Sequence, residues 1–106
     1  MVCAVDQLYR AMNIEILEIR LQNNGKALKA FVDLCLDGIT VRDFRVIQEH
    51  KRRLWVACPQ ISWRGKEGKI KYKTIITFPD DLKGLIDLAV LNAYQREMEK
   101  ESENKE

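Results

Sequence analysis

The sequence predicts an α+β fold, in which about five mainly antiparallel strands precede one C-terminal helix. Three observations support this prediction. Runs of alternating apolar and polar residues, typical of half-buried strands, recur between residues 12 and 78. Two dipeptides suited to tight hairpin turns, Asn24-Gly25 and Asp37-Gly38, separate the first three runs. After Pro79 the apolar residues change to the spacing of a helix.

The first predicted strand, residues 12–21, has an alternation that shifts partway along its length. Ile14 and Ile16 share one parity, whereas Leu17, Ile19 and Leu21 share the other, which predicts a β-bulge or a change of buried face. The other predicted strands lie at 27–36, 39–48, 54–59 and 70–78. In the second strand, alternation predicts a core face made of Leu28, Ala30, Val32, Leu34 and Leu36.

Acidic residues mark the start of the predicted helix. The carboxylate of Asp80 can accept hydrogen bonds from free backbone amides, and Asp81 complements the positive end of the helix dipole. Apolar residues then recur at helical spacing, and Leu88, Leu91 and Tyr94 widen the apolar face, so the helix is predicted over 81–98. The segment that follows, 99–106, has no apolar residue and is predicted to be an acidic disordered tail.

The domain organisation predicted from these elements is simple. Residues 1–11 form an N-terminal extension, and 12–98 form a single α+β domain, which suits a chain of 106 residues with 46% hydrophobic content. One helix covers only one face of a sheet, and little of the chain remains to cover the other face or to shield the edges. We therefore expect a homodimer, formed by face packing or by strands shared between protomers.

Several classes of protein are excluded by composition. No apolar run approaches the roughly 20 residues that a membrane-spanning helix needs, and the first residues lack the pattern of a secretory signal. Cys3, Cys35 and Cys58 are too scattered for a metal site or a disulfide framework, and their odd number suits a reducing cytoplasm. We expect a cytoplasmic protein with no metal, no cofactor and no membrane partner.

Catalytic arrangements are also missing from the sequence. The single histidine, His50, has no second histidine to complete a nucleophilic site with a serine or cysteine. The glycines of RGKEGK, at 64–69, do not fit the spacing of a phosphate-binding loop. Helix capping explains the carboxylates of Asp80 and Asp81 better than acid–base chemistry does. The sequence therefore predicts that the protein is not an enzyme and has no small-molecule substrate.

Charge is unevenly distributed in a chain whose net charge is only +2. Between Arg42 and Lys73 there are ten Lys and Arg against three Asp and Glu, a net +7, whereas residues 80–106 have four against eight, a net −4. Such a basic middle segment suits binding to nucleic-acid phosphates through counterion release. The alternative is an exposed face whose lysines only keep the protein soluble and protect sheet edges.

Four segments together resemble one protein family. They are VRDFRVI at 41–47, LWVACP at 54–59, the FP that ends a strand at 78–79, and AVLNAYQR at 89–96. This combination is similar to the stage V sporulation protein G (SpoVG) family of bacterial septation regulators, over about residues 12–96. The sequence departs from that family in several places: Cys58 stands where methionine is usual, QISWR follows Pro59 where Ser-Lys-Arg is usual, and KTIITFP lacks the usual Asp-Ile before its proline. Residues 1–11 have no counterpart in the family.

The resemblance implies a small bacterial cytoplasmic regulator that forms a homodimer by strand pairing. Members of the family are linked to cell-division septation and, in spore formers, to sporulation; they bind DNA, and some bind RNA. The binding positions that the family implies on this chain are Lys51, Arg52, Arg53, Arg64, Lys66, Lys69 and Arg96. Lys71 joins them because Lys69, Lys71 and Lys73 alternate along the last strand and so share one face.

Two alternatives stay open at this point. Arg96 is equally explained as a solvated residue that complements the negative end of the helix dipole. The protein as a whole could instead be an adaptor that acts in septum formation through protein contacts, without specific nucleic-acid binding. Ile61 and Trp63, which flank the basic loop, would be its candidate anchors, unless they only cover the dimer interface or the helix.

Overall fold

The computed structural model describes residues 12–22, 25–50 and 52–103. In this part of the chain it contains β1 (Ile14–Leu21), β2 (Leu28–Leu36), β3 (Ile39–Ile47), β4 (Trp55–Ala57), β5 (Gln60–Arg64), β6 (Ile70–Thr74) and α1 (Asp80–Glu103). All strand pairs are antiparallel. The α+β class with one C-terminal helix is therefore confirmed. The predicted N-terminal extension lies outside the described residues.

The strands form two sheets, and the prediction of a single sheet of about five strands was wrong. β1, β2, β3 and β4 lie side by side in chain order, whereas β5 and β6 form a separate two-stranded ribbon. The segment Gln60–Arg64, for which no strand was predicted, is a strand paired with β6. Pro59 explains the break between the sheets, because it has no backbone N–H with which to continue the ladder that β4 makes with β3.

The predicted change of alternation in β1 is a β-bulge. Its pairing with β2 shifts register between Ile16 and Glu18, so Leu17 is left exposed. Ile16 before the bulge and Ile19 after it both pack against the core, although their parities differ. The bulge thus keeps one apolar face on a strand whose simple alternation would have placed half of it in solvent.

The turn between β2 and β3 confirms the predicted tight hairpin. Asp37 and Gly38 have φ angles of 49° and 92°, as a primed turn requires, and Leu36 pairs with Ile39 across them. At the other predicted hairpin Gly25 has a φ of 73°, while Asn24 lies outside the described residues.

The core lies between one face of the four-stranded sheet and α1. β2 contributes the predicted residues Ala30, Val32, Leu34 and Leu36. α1 contributes Leu82, Ile86, Val90 and Tyr94, which recur every four residues and therefore share a helix face. Phe44 of β3 is fully buried, and its ring stacks on that of Phe78 with centroids 5.9 Å apart.

α1 begins one residue earlier and ends later than predicted. It starts at Asp80, and the Lys83 amide donates to the Pro79 carbonyl at 2.8 Å. The helix continues to Glu103, so the tail predicted to be disordered from 99 is helical as far as that residue. Its glutamates and lysine have high helix propensity and extend the helix without apolar contacts. Among the described residues, no helix has the length and apolarity to cross a membrane.

Candidate nucleic-acid interface

The ribbon formed by β5 and β6 is the most exposed part of the described structure. Every β6 residue is exposed, and so is every β5 residue after Gln60. At the tip, the Gly65 amide donates to the Lys69 carbonyl at 2.8 Å, and the Gly68 amide donates to the Gly65 carbonyl at 3.0 Å. At the base, the Ile75 amide donates to the Pro59 carbonyl at 3.0 Å. Backbone hydrogen bonds therefore fix the ribbon at both ends.

The register of the ribbon sorts its side chains onto two faces. Trp63 pairs with Lys71 and Ile61 pairs with Lys73, so these four share what is here termed the tryptophan face. The opposite face carries Ser62, Arg64, Ile70 and Tyr72. Lys69, Lys71 and Lys73 were predicted to share one face, and this is confirmed for Lys71 and Lys73. Lys69 precedes β6 and lies in the turn at the ribbon tip.

A surface pocket of about 550 Å³ opens at this end of the ribbon. Its lining combines one aromatic side chain, four cations and one carboxylate: Trp63, Arg64, Lys66, Lys69, Lys71 and Glu67. Trp63 is 45% exposed. Gly65 makes room for the lysine stem, because a Cβ added there would lie 3.0 Å from Lys71 Cε. This ribbon-tip pocket thus places an indole beside a dense group of positive charges.

Arg52 and Arg53 line a different surface, a groove of about 880 Å³ between α1 and β4. The loop that carries them is held in place, since Gln48 Nε2 donates to the Arg52 carbonyl at 2.7 Å. Glu49 also lines this helix–β4 groove and offsets the two arginines, whereas Asp87 of the lining is paired with Lys83 Nζ at 2.6 Å. Its apolar lining includes Leu54, Trp55, Leu88 and Leu91. Leu88 was predicted to widen the buried face of the helix, but it is 59% exposed.

The predicted binding residues therefore divide into two separate groups. Arg64, Lys66, Lys69 and Lys71 come together at the ribbon-tip pocket, whereas Arg52 and Arg53 lie at the helix–β4 groove. Arg96 is exposed on α1, one turn beyond Asn92 of the groove lining. Lys51 lies outside the described residues. The two pockets have no lining residue in common.

A charged cluster on the sheet face turned away from α1 was missed by sequence reasoning. Arg20 Nη1 and Nη2 donate to Asp33 Oδ2 and Oδ1 at 2.8 and 3.1 Å, and Nη2 also donates to Asp43 Oδ1 at 2.7 Å. Asp33 is only 2% exposed, and hydrogen bonding by Arg20 lowers the pKa of its carboxyl. The signal available in the sequence was an aspartate in mid-strand, where this residue type is depleted.

The same sheet face carries Phe31 between two guanidinium groups. Arg20 Cζ lies 5.9 Å and Arg45 Cζ 5.5 Å from the centre of its ring, distances suited to cation–π contact. These arginines are thus engaged within the fold, unlike the exposed cations of the ribbon tip. Sequence reasoning did not include either of them among the binding residues.

Two further observations bear on chemistry at the surface. In the described part of the chain, no three His, Cys, Asp or Glu side chains are grouped so as to hold a metal ion. Cys35 and Cys58 are free thiols, and burial raises the pKa of the Cys58 thiol. A raised thiol pKa leaves less of the reactive thiolate at neutral pH.

In sequence comparisons the chain matches no family model and no curated protein. What the ribbon tip and the helix–β4 groove do must therefore be inferred from their own charges, aromatic groups and geometry. Among these features, the exposed ribbon that places Trp63 among four cations is the leading candidate for a binding site.

Proposed function

We propose that the protein is a dimeric, non-enzymatic regulator that binds nucleic acid, DNA and also RNA, in the manner of the SpoVG family that its motifs resemble. The observation that carries this proposal is the ribbon-tip pocket, whose lining includes four cations and an indole but only one carboxylate. Cations at this density neutralise phosphates and release their counterions, and an aromatic face can stack on a base. The link to septation and sporulation, and a place in a bacterial cytoplasm, come from the sequence motifs alone.

The ribbon tip is the main contact in this proposal, and the helix–β4 groove contributes a second one. Arg52 and Arg53 are exposed and able to reach phosphates, but they are only two cations, and Glu49 reduces the positive charge around them. The tip has only Glu67 to offset its cations. Each tip contact therefore contributes more to nucleic-acid affinity than each groove contact does.

A homodimer formed through strands is part of the same proposal. β4 pairs only with Arg45, Val46 and Ile47, so the outer edge of the first half of β3 has no partner among the described strands. A groove of about 670 Å³ lies beside this edge, and its lining includes the exposed side chains of Ile39, Ile61 and Ile75. A strand from a second protomer would satisfy the free backbone groups and cover these isoleucines.

The outer edge of β4 is less suited to such pairing. It has three residues, and Lys83 Nζ donates to the Val56 carbonyl at 2.9 Å while also contacting Asp87. That contact occupies a backbone acceptor which an added strand would need. In a dimer through β3 two ribbon tips act on one nucleic acid, and effective concentration strengthens two modest contacts.

Fluorescence-anisotropy titrations of labelled DNA and RNA across a salt series test the proposal. A tip variant, Arg64→Glu, Lys66→Glu and Lys69→Glu, is compared with a groove variant, Arg52→Glu, Arg53→Glu and Arg96→Glu, which changes the net charge equally. We expect the parent to bind with an affinity that falls steeply with salt. The tip variant should lose at least about tenfold more affinity than the groove variant, with a salt slope smaller by about one for each lost phosphate contact.

Circular dichroism and thermal melting of each variant provide the fold control. Full affinity in the tip variant, or a parent that binds neither nucleic acid, would refute the proposal. Equal weakening by both variants would show attraction to net charge rather than a site at the ribbon tip.

One observation favours a second function, that of a protein-contact adaptor in septum formation. The helix–β4 groove exposes Trp55 and Leu88 beside Arg52 and Arg53, a mixture of aromatic, aliphatic and arginine side chains that protein interfaces favour. The adaptor function predicts that nucleic-acid binding is weak and insensitive to changes at the tip. The same titrations therefore discriminate between the two functions.

A further inference from the structure

From the geometry of the ribbon-tip pocket we infer that it accepts an unpaired base against Trp63, so that the protein prefers single-stranded nucleic acid to duplex. This inference rests on the proposed function and adds the class of nucleic acid that the site takes.

The position of Trp63 favours stacking. Its side chain is 45% exposed on the tryptophan face of the ribbon, with Lys71 directly across the strand pair and Lys73 one step further along the same face. The stem of Lys71 lies against Gly65, beside the tip of the ribbon. A base on the indole would therefore have cations beside it, at the positions where the flanking phosphates of its own strand run.

The shape of the site favours a single strand. The ribbon tip offers a concave pocket of about 550 Å³, whose lining mixes the indole with the cations. In a duplex, both faces of every internal base are covered by stacked neighbours, so along the duplex the indole has no free face to meet. Duplex binding then retains the phosphate contacts of the cations but loses the stacking contact, which is the physical source of the preference.

Paired variants of the two ribbon aromatics test this inference. Trp63→Ala removes the indole, and Tyr72→Ala removes an aromatic that is 59% exposed on the opposite ribbon face. Affinity is measured by anisotropy for an oligothymidine, a mixed-sequence single strand and a duplex of equal phosphate count. We expect Trp63→Ala to weaken single-strand binding by roughly 5- to 150-fold, the range of one base–aromatic stack. Duplex affinity should change less than about twofold, and Tyr72→Ala should leave both affinities near the parent values.

Tryptophan fluorescence at saturating nucleic acid provides a second readout, because the size of the quench then does not depend on affinity. Trp55→Phe removes the other tryptophan of the chain, which lies at the helix–β4 groove, so Trp63 becomes the only reporter. Stacking of thymine on the indole should quench this fluorescence upon addition of the oligothymidine, whereas the duplex should leave it nearly unchanged.

The outcomes separate the inference from the proposed function. If the parent binds and Trp63→Ala weakens single-strand and duplex binding alike, or neither, the inference is wrong while nucleic-acid binding stands. Duplex binding that exceeds single-strand binding would also overturn it. A parent that binds no nucleic acid removes both the inference and the function on which it rests. Retained duplex binding by Trp63→Ala shows that the ribbon still folds.

Discussion

Asp33 is a charged residue buried in the sheet, so its carboxylate requires hydrogen bonds from neighbouring groups. Its carboxylate accepts two hydrogen bonds from Arg20 and a third from the amide of Asp43 at 3.0 Å. Asp43 has a φ of 67° and lies where the pairing of β3 with β2 shifts register. On the sheet face opposite the helix, Asp33 therefore binds both the Arg20 guanidinium and the backbone of β3 where its register shifts.

Asp33→Asn should lower the free energy of unfolding by about 2 kcal/mol at pH 7, since it weakens charged hydrogen bonds to a buried group. The matched control is Asp37→Asn in the exposed hairpin turn, where asparagine also tolerates the positive φ, and it should change stability by less than about 0.5 kcal/mol. Urea denaturation followed by circular dichroism measures both. Equal effects of the two variants would contradict a special role for Asp33.

The same residue gives stability a defined dependence on pH. Arg20 lowers the pKa of the folded Asp33 carboxyl below that of the unfolded chain, near 3.9. The contribution is therefore fully present above the unfolded pKa and is lost as pH falls through the folded one. The stability difference between the parent and Asp33→Asn should be largest above about pH 5 and should shrink below about pH 4.

Sequence reasoning could not find this cluster, because the position of Arg20 depends on the bulge in β1. Before the bulge Ile16 pairs with Leu34, and simple continuation would set Arg20 opposite Ala30, on the core face. After the bulge Arg20 pairs with Phe31 and therefore shares the outer face with Asp33. The bulge was predicted from the alternation. The residues that it places opposite each other across the strands could be identified only from the register of the pairing.

The two strands of the ribbon differ in how far the sequence predicts them: β6 was predicted as a strand, whereas β5 was not. Ile70–Thr74 alternates lysines with apolar residues, so its shared lysine face was predictable. Both faces of Gln60–Arg64 are exposed, so it lacks the buried face on which strand prediction depends. The basic residues that line these two surfaces were thus apparent from sequence, but their division between the ribbon tip and the helix–β4 groove was not.

Gly84 gives a prediction for the helix. It is an exposed residue inside α1, and a Cβ added there would have no heavy atom within 4 Å. Gly84→Ala should therefore raise the free energy of unfolding by roughly 0.5–1 kcal/mol, by reducing the entropy of the unfolded chain. Gly68→Ala is the contrasting variant, because its φ of 80° disfavours a side chain. Denaturant titration should show stabilisation only for Gly84→Ala, and destabilisation by that variant would contradict the prediction.

Assembly is the property of the complete molecule that the proposed function needs. Ile39 is 64% exposed beside the unpaired edge of β3, and Leu17 is the comparable exposed aliphatic residue on β1 at the other side of the sheet. Analytical ultracentrifugation should show a dimer for the parent and a monomer for Ile39→Lys, because a lysine there would be buried by the second protomer. Leu17→Lys should remain dimeric.

Nucleic-acid binding should follow the same pattern as assembly. Ile39→Lys is expected to lose affinity for a long strand that reaches two ribbon tips, but not for an oligonucleotide that reaches only one. If Leu17→Lys and not Ile39→Lys yields monomers, the interface is at β1 and the proposed dimer is wrong. A monomeric parent would contradict the dimer altogether.

The contact of Lys83 with the Val56 carbonyl, at the last strand of the four-stranded sheet, also limits how far copies of the chain can associate. An edge left open at β4 as well as at β3 would let protomers add head to tail without end, as in a fibre. A lysine that occupies a backbone acceptor at one edge hinders the pairing of a further strand there. In the proposed dimer through β3, this contact removes the β4 edge from further growth, so that β1 is the one remaining edge strand of the sheet among the described strands.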